Sequence, residues 1–242
     1  MNAKKYVYFF GDGRAEGSAR MKDLLGSKGA NLAEMTNIGI PVPPGFTIST
    51  EACIHYYAND GHPDGLEDEI DENLTRLEEI TGKRFDDAEN PLLLSVRSGA
   101  AISMTGMMDT VLNIGLNDES VAGIARGAGN ERFAYDSYRR FVQMFGNVVL
   151  GMEHSDFEQI LEEKKRSRGV TMDTELDSDD LKDLVSRYKE LVEKETGEAF
   201  PDDPKEQLRT TIDAVFESWN TDRAITYRNL NNIPHDLGTG VN

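Results

Sequence analysis

Between Leu66 and Leu77 the apolar positions Leu66, Ile70, Leu74 and Leu77 recur at helical spacing, with acidic residues between them. That period is one face of an α-helix whose other face is solvated. LLLSV at 92–96 has a different texture, a near-continuous apolar run that predicts a buried strand. YVYFF (6–10) and FTIST (46–50) are shorter strand candidates. Leu32, Met35 and Ile38 predict a helix after the glycine-containing segment at 26–29. PVPPGF (41–46) is a rigid turn, because each proline fixes φ and bars its predecessor from helical geometry. Thr50 is placed to cap a helix through Ile54 and Tyr57.

Past residue 116 the pattern becomes helix upon helix. Asp118 opens one through Val121 and Ile124, and a longer one carries Phe133, Phe141, Val142, Phe145 and Val149. Ser155-Asp156-Phe157-Glu158 has the form of a capping box. Asp177 to Lys194 presents Leu181, Leu184, Val185, Tyr188, Leu191 and Val192 on one face. Asp203-Pro204 is an N-cap followed by proline at the first helical position, opening a helix with Leu208, Ile212, Val215, Phe216 and Trp219. Thr221 caps a last helix through Ile225 to Arg228, and GTGVN at 238–242 reads as the start of a further element. An α+β region and a helical region follow from this change of texture.

Composition narrows the partners. The formal charge is −18, from 44 acidic against 26 basic residues in 242. Such a field repels nucleic acid and anionic membranes, so neither is an expected partner, and any bound anion needs locally clustered cations. Cys53 is the single cysteine, which excludes an internal disulfide and reads as a small buried residue. No secretory leader pattern or apolar run of membrane-spanning length occurs, and the expected setting is cytoplasmic. His55, His62, His154 and His235 lack metal-ligand spacing.

No Walker loop, dinucleotide fingerprint or serine-hydrolase elbow is present. Three segments remain. In LLGSKGANLAEM (24–35), Gly26 and Gly29 flank Lys28 just before a helix. Bare amides, a helix N-terminus and a mobile charge together suit an anion, although a lysine in an ordinary turn looks the same. In LLLSVRSGAAISMTGMMDT (92–110), Arg97 is expected at or near the strand's C-terminal end. Two readings of it stay open, a phosphate clamp and a structural salt bridge. Gly99, Ser103 and Gly106 could add amides and a hydroxyl, while Met104, Met107 and Met108 suit packing. In RFAYDSYRRFVQMFG (132–146), Arg139 and Arg140 point about 100° apart on a helix, so one should face inward unless both are solvated.

Taken together, GSKGANLAEM, PVPPGFTIST, LLSVRSGA, SMTGMMDTVLNIGLN, RFAYDSYRRFVQMFG, FPDDPKEQL, SWNTDRAITYRNLNNIP and GTGVN resemble the pyruvate, phosphate dikinase family over essentially the whole chain. The related phosphoenolpyruvate synthases share the Lys-Gly and Val-Arg-Ser elements but not GMMDTVLNIGLN or RFAYDSYRRF. The resemblance implies an enzyme that converts ATP, pyruvate and phosphate to AMP, phosphoenolpyruvate and diphosphate through a phosphohistidine on a swivelling domain. It implies an α+β fold: part of an ATP-grasp-like nucleotide-binding domain with an inserted helical subdomain. Residues 1–116 and 204–242 would form the α+β part and 117–203 the insertion.

Carried over residue by residue, the resemblance gives Lys28 and Arg97 catalytic roles at the nucleotide phosphates. Gly106 and Arg140 match positions of the inorganic phosphate site. ATP is the implied cofactor, with Mg²⁺ held by acidic ligands expected beyond residue 242. Pyruvate would meet domains outside this chain, and family members dimerise. A chain covering only this part is expected to be inactive alone. The alternative is a stand-alone nucleotide- or protein-binding module that has kept the scaffold. Many members carry arginine where this chain has Ala101 and proline where it has Thr105, so the loop here is less cationic and less rigid.

Overall fold

The computed structural model describes residues 4–242. Its strands are β1 (Val7–Gly11), β2 (Arg14–Ala15), β3 (Gly45–Ile48), β4 (Leu94–Ala100), β5 (Thr110–Ile114) and β6 (Thr239–Val241). Its helices are α1 (Lys22–Asn37), α2 (Thr50–Asn59), α3 (Leu66–Thr81), α4 (Ser120–Ala128), α5 (Glu131–Val148), α6 (His154–Arg168), α7 (Ser178–Thr196), α8 (Pro204–Glu217) and α9 (Asp222–Asn231). The fold is α+β. The strand order is β2-β1-β3-β6-β4-β5, and the pairs β1–β2, β1–β3, β3–β6 and β6–β4 are all antiparallel.

The chain forms two compact units. The first contains the residues up to Gly82, Val96–Thr110 and Ile212–Asn242; the second contains Lys83–Ser95 and Val111–Thr211. In the first, α1 packs on β1, β3 and β6, and α3 packs on β1 and β3. Helix α3 buries the predicted stripe Leu66, Ile70, Leu74 and Leu77. Helix α1 does not bury the stripe its larger residues suggest. Its inner face is Gly29, Ala30, Ala33 and Thr36, while Ile38 lies past the helix end and is exposed. Small residues let the helix axis approach the sheet closely, so the apolar period there marks the flank rather than the contact.

In the second unit α5 packs mainly on α4 and α7. Phe141, Phe145 and Phe200 meet edge to face, with centroids 5.2 to 5.8 Å apart, a favourable geometry for aromatic quadrupoles. Phe133, expected on this buried face, is exposed. Asp177 caps α7 in a reciprocal box with Asp180. The box expected at Ser155–Glu158 does not form. Helix α6 starts at His154 without a side-chain cap, and Glu158 instead accepts a 2.9 Å hydrogen bond from the Gln143 amide. Asp203 accepts from the Lys205 N–H at 2.8 Å, so the Asp-Pro start of α8 is realised.

Candidate functional site

The glycines around Lys28 have a steric cause. Gly26 breaks α1 with φ 69° and ψ 170°, a region that favours glycine. A Cβ at Gly26 would lie 1.5 Å from the Gly99 carbonyl oxygen, so the backbones of α1 and β4 touch there. The helix restarts after the break, with Lys28 in its first turn. A Cβ at Gly29 would lie 2.7 Å from the Thr47 side chain, and one at Gly99 would lie 2.5 Å from the Asn242 amide nitrogen. Gly240 on β6 is similarly confined, since a Cβ there would lie 3.0 Å from the Leu25 carbonyl oxygen. These glycines make a floor of closely packed backbone beneath the sheet's middle strands.

Two cations stand at this floor. Lys28 Nζ donates to the Ser98 carbonyl at 2.6 Å. Partial burial, and then the neighbouring Arg97 charge, hold the Lys28 pKa below the ordinary lysine value. Arg97 exchanges both backbone hydrogen bonds with Asn242 at 2.8 Å, while its side chain is exposed. Thr47 Oγ1 donates to Asn242 Oδ1 at 2.9 Å, tying β3 to the same place. Among the described residues no carboxylate forms an ion pair with Lys28 or Arg97.

The placement of Arg97 corrects the sequence expectation. Strand β4 runs three residues beyond it, to Ala100, so Arg97 is in mid-strand rather than at the C-terminal end. Leu92 and Leu93 precede the strand, which shifted its apparent frame. The rule that ligands gather at strand C-termini belongs to parallel sheets, and this sheet is antiparallel around β4 and β6. The salt-bridge reading also fails, because Arg97 is neither buried nor paired with an acid.

Beyond Ala100 the chain forms a loop that returns as β5. Met107 N–H donates to the Met104 carbonyl at 3.0 Å, and Gly106 between them has φ 76° with open space where a Cβ would stand. These are marks of a type II turn, which needs positive φ at its third residue and favours proline at its second. The second residue is Thr105. Ser103 and Thr105 are exposed, their hydroxyls 3.3 Å apart. Met104 is buried with Ala100, Trp219, Ala224 and Ile233, and Met107 and Met108 pack on that cluster. The methionines therefore pack as expected. Arg223 on α9 grips the loop from outside, a contact that no sequence spacing signals.

The structure thus brings Lys28, Arg97 and Gly99 together and sets Ser103 and Gly106 at the tip of the adjoining loop. Arg140 belongs to the second unit, where it is exposed and its Nε donates to Asp136 at 3.1 Å. Its neighbour Arg139 is the inward-facing arginine, buried and hydrogen-bonded to Asp136 and Gln143.

This chain matches the family model described as "Pyruvate phosphate dikinase, AMP/ATP-binding domain" over residues 22–81 and 63–242. The chain belongs to that family. Among similar proteins, pyruvate, phosphate dikinase of Rhizobium meliloti (strain 1021) is 56% identical over 239 residues, covering 98% of this chain and 27% of the relative. The chloroplastic pyruvate, phosphate dikinases of Flaveria trinervia and Mesembryanthemum crystallinum are 57% and 58% identical over 241 residues, covering 99% of this chain and 25% of each relative. The chain therefore spans about a quarter of the length of these relatives. The family's matched region contains Lys28, Arg97 and the whole glycine floor.

Proposed function

We propose that this chain supplies part of the ATP and phosphate site of a pyruvate, phosphate dikinase, the enzyme that turns ATP, pyruvate and phosphate into AMP, phosphoenolpyruvate and diphosphate. The observation that carries this is the adjacency of Lys28 and Arg97, with no carboxylate counter-ion among the described residues, on a floor where side chains are excluded. Like charges held together are costly unless an anion relieves them. A triphosphate does so, the Arg97 fork pairing with oxygens on one phosphate and Lys28 serving as a point charge. Phosphoryl transfer rests mainly on such positioning and charge neutralisation. Gly99, Ser103 and Gly106 contribute amides and a hydroxyl around the phosphates; the inorganic phosphate role that the family resemblance gives Arg140 is carried by the second unit by itself.

The domain is ATP-grasp-like in this reading, with residues 1–116 and 204–242 as its α+β part and 117–203 as a helical insertion. In this reading pyruvate meets domains outside this chain, homodimerisation belongs to the full-length protein, and the setting is cytoplasmic. Mg²⁺ accompanies ATP, but the residues present do not fit a metal site of their own. Among the described residues no cluster of three or more His, Cys, Asp or Glu is arranged to hold an ion. No step is therefore assigned to metal ligands of this chain.

Calorimetric titration with MgATP tests the proposal. The chain should bind it, and Arg97→Ala should weaken binding about tenfold, the loss of one charge-assisted contact. Equal affinity in a folded Arg97→Ala protein would overturn the assignment. The chain by itself should form no AMP and diphosphate from ATP and phosphate.

A further inference from the structure

Arg223 lies in the first turn of α9 and is half exposed, yet it holds two points of the loop after β4. Its Nε donates to the Met107 carbonyl at 3.1 Å, and its guanidinium pairs with the Asp109 carboxylate. The loop's apolar side is already seated, through Met104, Met107 and Met108, on the cluster around Trp219 and Ala224. Arg223 therefore closes the open, polar side of a segment whose other side is packed.

A continuous set of contacts leads from there to Lys28. The Asp109 carbonyl accepts the Ser98 N–H at 3.4 Å, and the Ser98 carbonyl accepts the Lys28 ammonium at 2.6 Å. One residue of β4 thus meets the loop through its N–H and the cation through its carbonyl oxygen, on the two peptide units that flank its Cα. If the loop shifts, Ser98 loses its partner on the side away from β6, and the carbonyl that holds the Lys28 ammonium is steadied by the β6 pairing alone. An exposed ion pair adds little to global stability, so a contribution to folding does not account for the two-point grip.

We propose that Arg223 is a positioning residue that, through Asp109 and Ser98, sets where the Lys28 ammonium stands. Its contacts are with Met107 and Asp109, not with Lys28 itself. The inference adds a residue to the proposed phosphate site, and its affinity arm rests on that reading. Its first arm does not.

That first arm follows the Lys28 ammonium protons by ¹⁵N NMR in the 242-residue chain, comparing wild type with Arg223→Ala, Asp109→Asn and Arg223→Lys. Arg223→Ala and Asp109→Asn should speed proton exchange at Lys28 Nζ and at the Ser98 amide by about tenfold, within the range of couplings carried through neighbouring contacts. Arg223→Lys should restore part of the protection. Amides of α3 should be unaffected. The second arm is MgATP titration, where Arg223→Ala should weaken binding about fivefold by the same coupling. Unchanged Lys28 exchange in a folded Arg223→Ala protein overturns the proposal; if that variant does not fold, Asp109→Asn decides. Faster Lys28 exchange together with no MgATP binding by wild type supports the positioning role and overturns the nucleotide reading instead.

Discussion

His62 carries a charge requirement that its position in the chain conceals. Nδ1 lies 2.8 Å from a Glu67 oxygen and Nε2 lies 2.6 Å from an Asp213 oxygen. Only the imidazolium can donate to both carboxylates. The hydrogen bond to Asp213, then that to Glu67, raises its pKa against the opposing effect of burial. Since the folded value is raised, the stabilisation is fully present below the unfolded histidine value of about 6.5 and is lost as pH rises through the folded value. His62→Gln should therefore destabilise the protein more at pH 6 than at pH 9, as read by urea unfolding at each pH. Equal losses would mean that the clamp is not ionic. The sequence could not show this contact, because Asp213 is 151 positions away. The close approach beside Lys28 was legible for the opposite reason: Gly26 and Gly29, which let α1 meet β4 and β3, lie within two positions of it in the sequence. Cys53 was read as a buried residue and is one, its thiol pushed up to about 12 by burial.

Elements were legible where one face alone decides the pattern. Helix α3 buries the stripe that the sequence displays, and α7 buries its own except for Leu191, which is half-buried. Helix α1 was misread because its contact face is built from glycine and alanine, which carry almost no hydrophobic signal. The β4 frame slipped because an irregular apolar lead-in, Leu92-Leu93, precedes the strand. At this scale Thr105 is the informative position, since it occupies the second place of the turn at 104–107, where proline's fixed φ suits a type II geometry. Thr105→Pro should raise stability by about 0.4–1 kcal/mol by restricting the unfolded chain. Calorimetry would read this as a higher Tm, with slower amide exchange at Gly106 and Met107. A lower Tm would show that the turn is not of this type.

For the whole molecule, the formal charge of −18 makes the bare cations at Lys28 and Arg97 a local exception. The charge balance alone could not place that exception, which depends on β4 and α1 meeting. Their meeting depends in turn on β6, which pairs with β3 through Val241 and with β4 through Thr239, Gly240 and Val241. Gly240 has the Leu25, Ile48 and Gly99 carbonyl oxygens 3.0, 3.1 and 3.3 Å from where a Cβ would stand. Gly240→Val should cost about 1–3 kcal/mol through overpacking, measurable as a lower urea midpoint. A midpoint equal to wild type would mean that the three strands can part to admit a side chain.

The location of β6 between β3 and β4 also sets a timetable for synthesis. When the ribosome has released β4, the strand that must lie beside it is still about 140 residues from being made. At roughly 5–20 residues per second, two strand edges wait on the order of ten seconds for their common neighbour. During that interval the nascent chain presents a vacant slot of strand width, the moment at which a chaperone or a stray strand from another chain would find it.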